Sequence, residues 1–168
     1  SEAEANEVRD AILSGWITTG PRTKKLEKTI AEYVGVEKSV CLNSATAAME
    51  MVLRLLGVGP GDEVIVPAYT YTATASVVVH VGATLVMVDS QKDCVEMDYE
   101  QLANAITERT KVIVPVDLGG IVADYDKVLE IVNRPEIKAK FQPQNEIQRK
   151  FGRIVVSADC AHSLGAKR

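Results

Sequence analysis

Long apolar runs, clustered positive charge and paired cysteines are all missing from this chain, and each absence removes a class of function. No uninterrupted apolar stretch is long enough to cross a bilayer, and the acidic start Ser1-Glu2-Ala3-Glu4-Ala5 carries no apolar signal core. Membranes are therefore not expected as partners. The formal net charge is -4, and lysine and arginine are scattered, with only short pairs such as Lys24-Lys25. That distribution offers no footprint for a polyanion, so nucleic acid is not expected either. The three cysteines, Cys41, Cys94 and Cys160, are odd in number and widely spaced, with two in apolar strand-like runs. Such spacing supports neither a zinc site nor a disulfide framework and predicts buried free thiols in a reducing, cytoplasmic setting. No G-x-G-x-x-G follows the first strand, which counts against a Rossmann-type nucleotide-binding domain.

What is present is a chain of 168 residues, 46% hydrophobic and 25% charged, enough to bury a real core. Its hydrophobic pattern alternates in type from segment to segment. Alternation of that kind predicts an α/β protein with three α/β/α layers and a mostly parallel sheet. A helix is expected over Pro21 to Val34, with Leu26, Ile30 and Val34 on one face, proline in its first turn and Gly35 at its end. Ser39 to Leu42 reads as a buried strand. Ala45 to Leu56 reads as a helix capped by Asn43, Ser44 or Thr46 and closed by the Gly59-Pro60-Gly61-Asp62 turn. Strands are expected at Glu63 to Val66, Ala83 to Val88, Lys111 to Val116 and Arg153 to Ser157. Helices are expected at about Tyr71 to Val81, Tyr99 to Ile106 with Asp98 as its cap, and Asp124 to Val132. The polar stretch Asn133 to Gly152 is expected to be part loop, part helix.

In open α/β sheets ligands gather at the carboxyl ends of the strands, and every candidate motif here follows an expected strand. Ser44-Ala45-Thr46-Ala47 would open a helix with unpaired N–H groups and two hydroxyls, which suits a phosphate and also suits an ordinary cap. Asp159 follows the apolar run Ile154-Val155-Val156, so its carboxylate would emerge into a partly desolvated crevice. An unpaired carboxylate there is costly, and a cationic partner is expected, either a ligand or a nearby lysine or arginine, unless the aspartate serves as a helix cap. His162 would donate to a ligand oxygen or serve a structural bond. Tyr71, after the strand at Val64-Ile65-Val66, would stack on a planar ligand or pack half-buried. Asp117 and Gly119-Gly120 mark either a ligand-lining loop or a turn.

Four segments taken in order carry a resemblance more specific than any one of them: Gly15-Trp16-Ile17-Thr18-Thr19-Gly20-Pro21, Asn43-Ser44-Ala45-Thr46-Ala47, Gly57 to Pro67, and Asp159-Cys160-Ala161-His162-Ser163-Leu164-Gly165. Together they resemble the DegT/DnrJ/EryC1/StrS sugar aminotransferases, enzymes of the fold-type I pyridoxal 5'-phosphate (PLP) class. The resemblance implies an aspartate aminotransferase-like large domain, incomplete here, with residues 1 to 168 as its N-terminal part. It implies PLP as cofactor, a nucleotide-linked keto-sugar and an amino acid donor such as glutamate as reactants, and a homodimer. It further implies that Ser44, Ala45, Thr46 and Ala47 cradle the phosphate, Tyr71 stacks on the pyridine ring, Asp159 pairs with the ring nitrogen, and His162 contacts the phenolic oxygen.

Three positions depart from the family pattern: Ala45 where glycine is usual, Asp117 where histidine is usual, and Gly119 where an aromatic is usual. Asn133 to Gly152 is also longer than the usual link. By the same resemblance the Schiff-base lysine lies roughly two dozen residues past Asp159, and Lys167 is too close to serve. The chain alone is thus expected to be a fragment without turnover, with a sheet edge and apolar faces that favour oligomerisation. Two related readings share the fold: a PLP-dependent sugar dehydratase, in which histidine replaces that lysine, and a non-catalytic PLP-binding or regulatory protein.

Overall fold

Side chains along the central strands alternate between two apolar clusters, and that alternation builds the layers. In the computed structural model, which describes residues 1–168, strand β1 (Glu63–Pro67) is buried along its whole length. Val64 and Val66 join Val112 and Val155 on one face, packed on Met49 and Leu53 of helix α3 (Ala45–Leu55) and Val77 and Val78 of α4 (Thr72–His80). Ile65 and Ile113 point the other way. There they meet Leu102 of α5 (Tyr99–Ala105), Val128, Ile131 and Val132 of α6 (Tyr125–Asn133), and Ile137 of α7 (Pro135–Lys140). Successive strand residues face opposite sides, so a continuous Val/Ile run fills both clusters at once.

The sheet has the order β2-β1-β3-β4, with β2 at Thr84–Val88, β3 at Thr110–Ile113 and β4 at Val155–Val156, and every pairing is parallel. The chain passes from β1 to β2 on one side and returns to β3 on the other. Its direction of travel thus reverses at β1/β3, where open sheets leave a crevice at their carboxyl ends. Backbone pairing continues past the short last strands: the Asp159 N–H donates to the Pro115 carbonyl at 2.8 Å, and the Asp117 N–H donates to the Asp159 carbonyl at 3.1 Å. Asp117 and Asp159 thereby leave the sheet side by side.

Asn133 to Gly152 is mostly helical, as α7 and α8 (Glu146–Phe151). Its polar residues work inward. The Gln148 amide donates to the Leu56 carbonyl at 2.8 Å, the Gln144 amide to Asp62 at 2.9 Å, and the nearly buried Lys111 ammonium to the Gln142 carbonyl at 2.7 Å. These bonds anchor the stretch at the amino end of the sheet, opposite the crevice. The stretch is thus part helix and part loop, as expected, while composition could not report that its polar residues satisfy buried backbone groups.

Residues Ser1–Asn43 form a compact unit separate from Ser44–Arg168. The first unit holds helix α1 (Glu2–Leu13), which the sequence reading did not anticipate, and α2 (Pro21–Val34), found at the expected bounds. Gly35 closes α2 in the left-handed region at φ 72°, where a Cβ would be strained. One expectation fails in this unit, and the apolar face of α2 is less buried than its pattern suggests. Of the α2 residues only Ala31 is buried, and Leu26 and Val34 are exposed. Ser39 to Leu42 is irregular and forms no strand, with Val40 74% exposed. A strand exists only through a pairing partner, which an apolar run cannot supply by itself.

The thiol expectation is corrected too. All three cysteines are free, but Cys41 and Cys160 are exposed and Cys94 is half-buried. Cys41 lies on the unpaired segment, and Cys160 lies just beyond the sheet, so neither apolar neighbourhood extends over its cysteine. No helix is long and apolar enough to cross a membrane.

Candidate functional site

A cleft of about 190 Å³ opens at the carboxyl ends of β1, β3 and β4, and its walls come from the start of α3, the start of α4 and the turns after β3 and β4. Ala45, Thr46, Tyr71, Asp159 and His162 all line it. The other two anticipated residues act on the helix rather than in the cleft. The Ser44 hydroxyl accepts the Ala47 N–H at 3.1 Å, and the Ser44 carbonyl takes the Ala48 N–H. Both bonds are spent inside the first turn, which leaves the N–H groups of Ala45 and Thr46 without an intrahelical acceptor at the cleft wall.

Across the cleft, Asp159 is only 6% exposed. Its Oδ2 accepts the Thr74 hydroxyl at 2.8 Å and its Oδ1 accepts the Ala161 N–H at 3.2 Å. The Thr74 proton is committed to Asp159, so the 2.9 Å contact between Thr70 and Thr74 must run from Thr70 to Thr74. Both partners of the carboxylate are neutral. The lysine or arginine that the sequence reading allowed for Asp159 is therefore not among its bonds, and a desolvated carboxylate faces the cleft without a cationic partner. Thr74 is the residue sequence reasoning missed. It is fully buried in the first turn of α4, and nothing in its local sequence marks it apart from a core-facing threonine.

His162 sits in the turn after β4, and its Nδ1 accepts the Gly119 N–H at 3.1 Å. That bond assigns the proton of the neutral ring to Nε2, which remains free as a donor. Gly119 itself is left-handed at φ 64°, and a Cβ on Gly120 would stand 3.4 Å from the His162 carbonyl. The backbone at Gly120 therefore runs close to the His162 turn. Tyr71 caps α4 in an extended conformation and is 74% exposed, which leaves its ring available at the rim instead of packed in the core.

Asp117 is a buried junction. It accepts the Ala123 N–H at 3.0 Å, the Tyr125 hydroxyl at 2.7 Å and the Ser163 hydroxyl at 2.7 Å. Burial alone would push its carboxyl up, but these donors outweigh burial and hold it below the usual carboxylate range. A group whose folded pKa is depressed adds stability above its unfolded pKa, and that contribution is lost as pH falls through the folded value. The stability of the wild type should therefore fall more steeply below pH about 4 than that of Asp117→Asn. Urea unfolding at a series of acidic pH values checks this, and parallel acid limbs would count against it.

A buried carboxylate without a cation, facing an open helix N-terminus across one cleft, defines the chemistry of the site. Comparison with known proteins fits it. Residues 1–168 match the model of the DegT/DnrJ/EryC1/StrS aminotransferase family. The chain belongs to this family. Relatives in the DegT/DnrJ/EryC1/StrS family include the UDP-4-amino-4-deoxy-L-arabinose–oxoglutarate aminotransferase of Shewanella sediminis, 38% identical over 99% of this chain and 38% of that protein. The spore coat polysaccharide biosynthesis protein SpsC of Bacillus subtilis is 41% identical over 76% of this chain and 33% of that protein. Among solved structures, the PLP-form of Spr1654 from Streptococcus pneumoniae, a provisionally named sugar aminotransferase, superposes with a TM-score of 0.95 at 57% identity. That match covers 98% of this chain and 42% of Spr1654, which is also known in a PMP-form. The family is PLP-dependent, and the all-parallel sheet here matches its aminotransferase structures. The chain thus spans from 33% to 42% of the length of these relatives.

Proposed function

We propose that this chain is the N-terminal, cofactor-binding part of the large domain of a PLP-dependent aminotransferase. In this reading the whole protein moves an amino group from an amino acid, glutamate, to a nucleotide-linked keto-sugar, as a homodimer in the cytoplasm. The observation that carries the proposal is the Asp159 carboxylate, buried in the cleft and met only by neutral donors. A protonated ring nitrogen is the charge it lacks. Support for the reactants comes from the Shewanella relative, whose name gives a UDP-linked amino-sugar and oxoglutarate, the keto acid that glutamate becomes on losing its amino group. Three unpaired thiols suit a reducing compartment.

The residues divide the work. The N–H groups of Ala45 and Thr46 bind the phosphate, helped by the helix dipole and held in place by the Ser44 cap. Thr74 and the Ala161 N–H orient the Asp159 carboxylate, which holds a proton at the ring nitrogen. Tyr71 covers one face of the ring and shields it from water. The Gly119 N–H sets His162 so that Nε2–H is the donor for the phenolic oxygen. When bound, PLP supplies an electron sink for chemistry at the amino-bearing carbon. Its Schiff-base lysine belongs, in this reading, to a segment outside residues 1–168.

The test is a titration of the chain with PLP and with pyridoxal, followed by absorbance. Saturable binding of PLP, with pyridoxal at least about tenfold weaker, is expected from the loss of charge-assisted bonds to the phosphate. Absence of saturable PLP binding would remove the proposal. The coding sequence past Arg168 then separates the chemistries: a lysine roughly two dozen codons beyond Asp159 favours transamination, and a histidine there favours dehydration.

A further inference from the structure

His162 is held from two sides, and only one hold is its own. The Gly119 N–H meets its Nδ1, while the adjacent Ser163 hydroxyl reaches the buried Asp117 carboxylate at 2.7 Å. Ser163 also closes the turn that carries His162, its N–H donating to the Cys160 carbonyl at 3.1 Å. Asp117 is fixed in turn by the Ala123 N–H and the Tyr125 hydroxyl, so its position is set by the loop after β3 and by α6. It also belongs to that loop, which contributes Gly119: the Gly120 N–H returns to the Asp117 carbonyl at 3.1 Å. Both sides of the Gly119–His162 bond are therefore referred to one residue, Asp117, whose carboxylate holds Ser163 and whose backbone carbonyl holds the turn that carries Gly119.

We propose that Asp117, acting through Ser163, is the positioning residue that fixes the His162 imidazole at the rim of the cleft. The exposed His162 turn has few packing contacts to order it, so polar tethers must set its geometry. An ionised, buried carboxylate is a strong acceptor for the Ser163 hydroxyl, and a charge-assisted bond of this kind is roughly twice as strong as a neutral one. Asp117 needs no contact with cofactor or substrate to act this way. The inference deepens the PLP reading only in what His162 is held for, because the tether itself exists without any ligand.

The decisive variant is Ser163→Ala. It removes the tether while leaving Asp117 its bonds to Ala123 and Tyr125, and so should not unfold the chain as Asp117→Ala would. In the ligand-free, nitrogen-15-labelled chain, hydrogen exchange at the Gly119 amide should rise about fivefold in Ser163→Ala, while exchange at Ile65 and Val112 in the core is unchanged. His162→Ala gives the exchange rate of the fully released amide, and Ser163→Thr, which keeps the hydroxyl, should restore protection. An unchanged Gly119 rate in Ser163→Ala, or no rescue by threonine, would overturn the proposal. PLP titration then adds a second reading: affinity should fall about fivefold in Ser163→Ala and recover in Ser163→Thr. If the wild type itself fails to bind PLP, the cofactor reading falls, and the exchange result still decides the positioning role.

Discussion

Replacing Asp159 by asparagine is expected to lower PLP affinity by about a hundredfold or more while leaving the fold nearly intact. Breaking a buried ion pair by removing one charge costs about 3–5 kcal/mol, because the other charge is left uncompensated. In the proposed complex that other charge is the protonated ring nitrogen. Asparagine preserves the local hydrogen bonding. Its carbonyl still accepts the Ala161 N–H, and its amide donates to the Thr74 hydroxyl, which then turns its own proton elsewhere. Stability by urea unfolding should therefore change by no more than about 1 kcal/mol. Asp159→Ala should behave differently, since the fully buried Thr74 hydroxyl and the Ala161 N–H both lose their acceptor. Its stability should drop by about 1–3 kcal/mol in addition to the lost affinity. Equal PLP affinity in the wild type and Asp159→Asn would exclude Asp159 from the cofactor site.

Ala45→Pro is expected to weaken PLP binding by about tenfold to a hundredfold and to leave pyridoxal binding nearly unchanged. Ala45 is the first residue of α3, where proline is tolerated because its N–H would have no intrahelical partner. The residue before a proline must be extended, and Ser44 already is, at φ -164° and ψ 159°. The substitution thus deletes one of the two open donors and little else. A hydrogen bond to a charged group contributes about 1.5–3 kcal/mol, which sets the expected loss. Pyridoxal has no phosphate to lose it. Circular dichroism should report an unchanged helix content, and parallel titrations of the two ligands supply the comparison. An equal loss for both would mean that the proline distorts the cleft and that the N–H of Ala45 is not a phosphate donor.

The core elements were legible because their signals are local and redundant. Pro21 and Gly35 bracket α2 at the expected residues, and Asp98 caps α5, accepting the Glu100 and Gln101 N–H groups. The Val/Ile runs gave strands with the right order of elements, since a strand buried on both faces needs no alternation to be recognised. Five of the seven anticipated site residues line one cleft, and the other two form the cap beneath it. Ser39 to Leu42 failed for the same reason that β3 and β4 proved shorter than expected: pairing, which defines a strand, is a relation between distant segments. The cysteines failed because burial is also such a relation.

The sequence by itself determined the family, through four ordered motifs spread from Gly15 to Gly165, and with it the kind of cofactor that the cleft should hold. It determined the layer architecture, because apolar periodicity is written residue by residue. Only the tertiary structure decided what each polar group in the cleft is committed to. It brought Thr74 onto Asp159 across 85 positions of chain, tied Ser163 to Asp117 across 46, and set Gly119 against His162 across 43. No local pattern encodes those bonds, since each exists only after the parallel strands have set their carboxyl ends side by side, and only they reveal that no cation stands among the partners of Asp159.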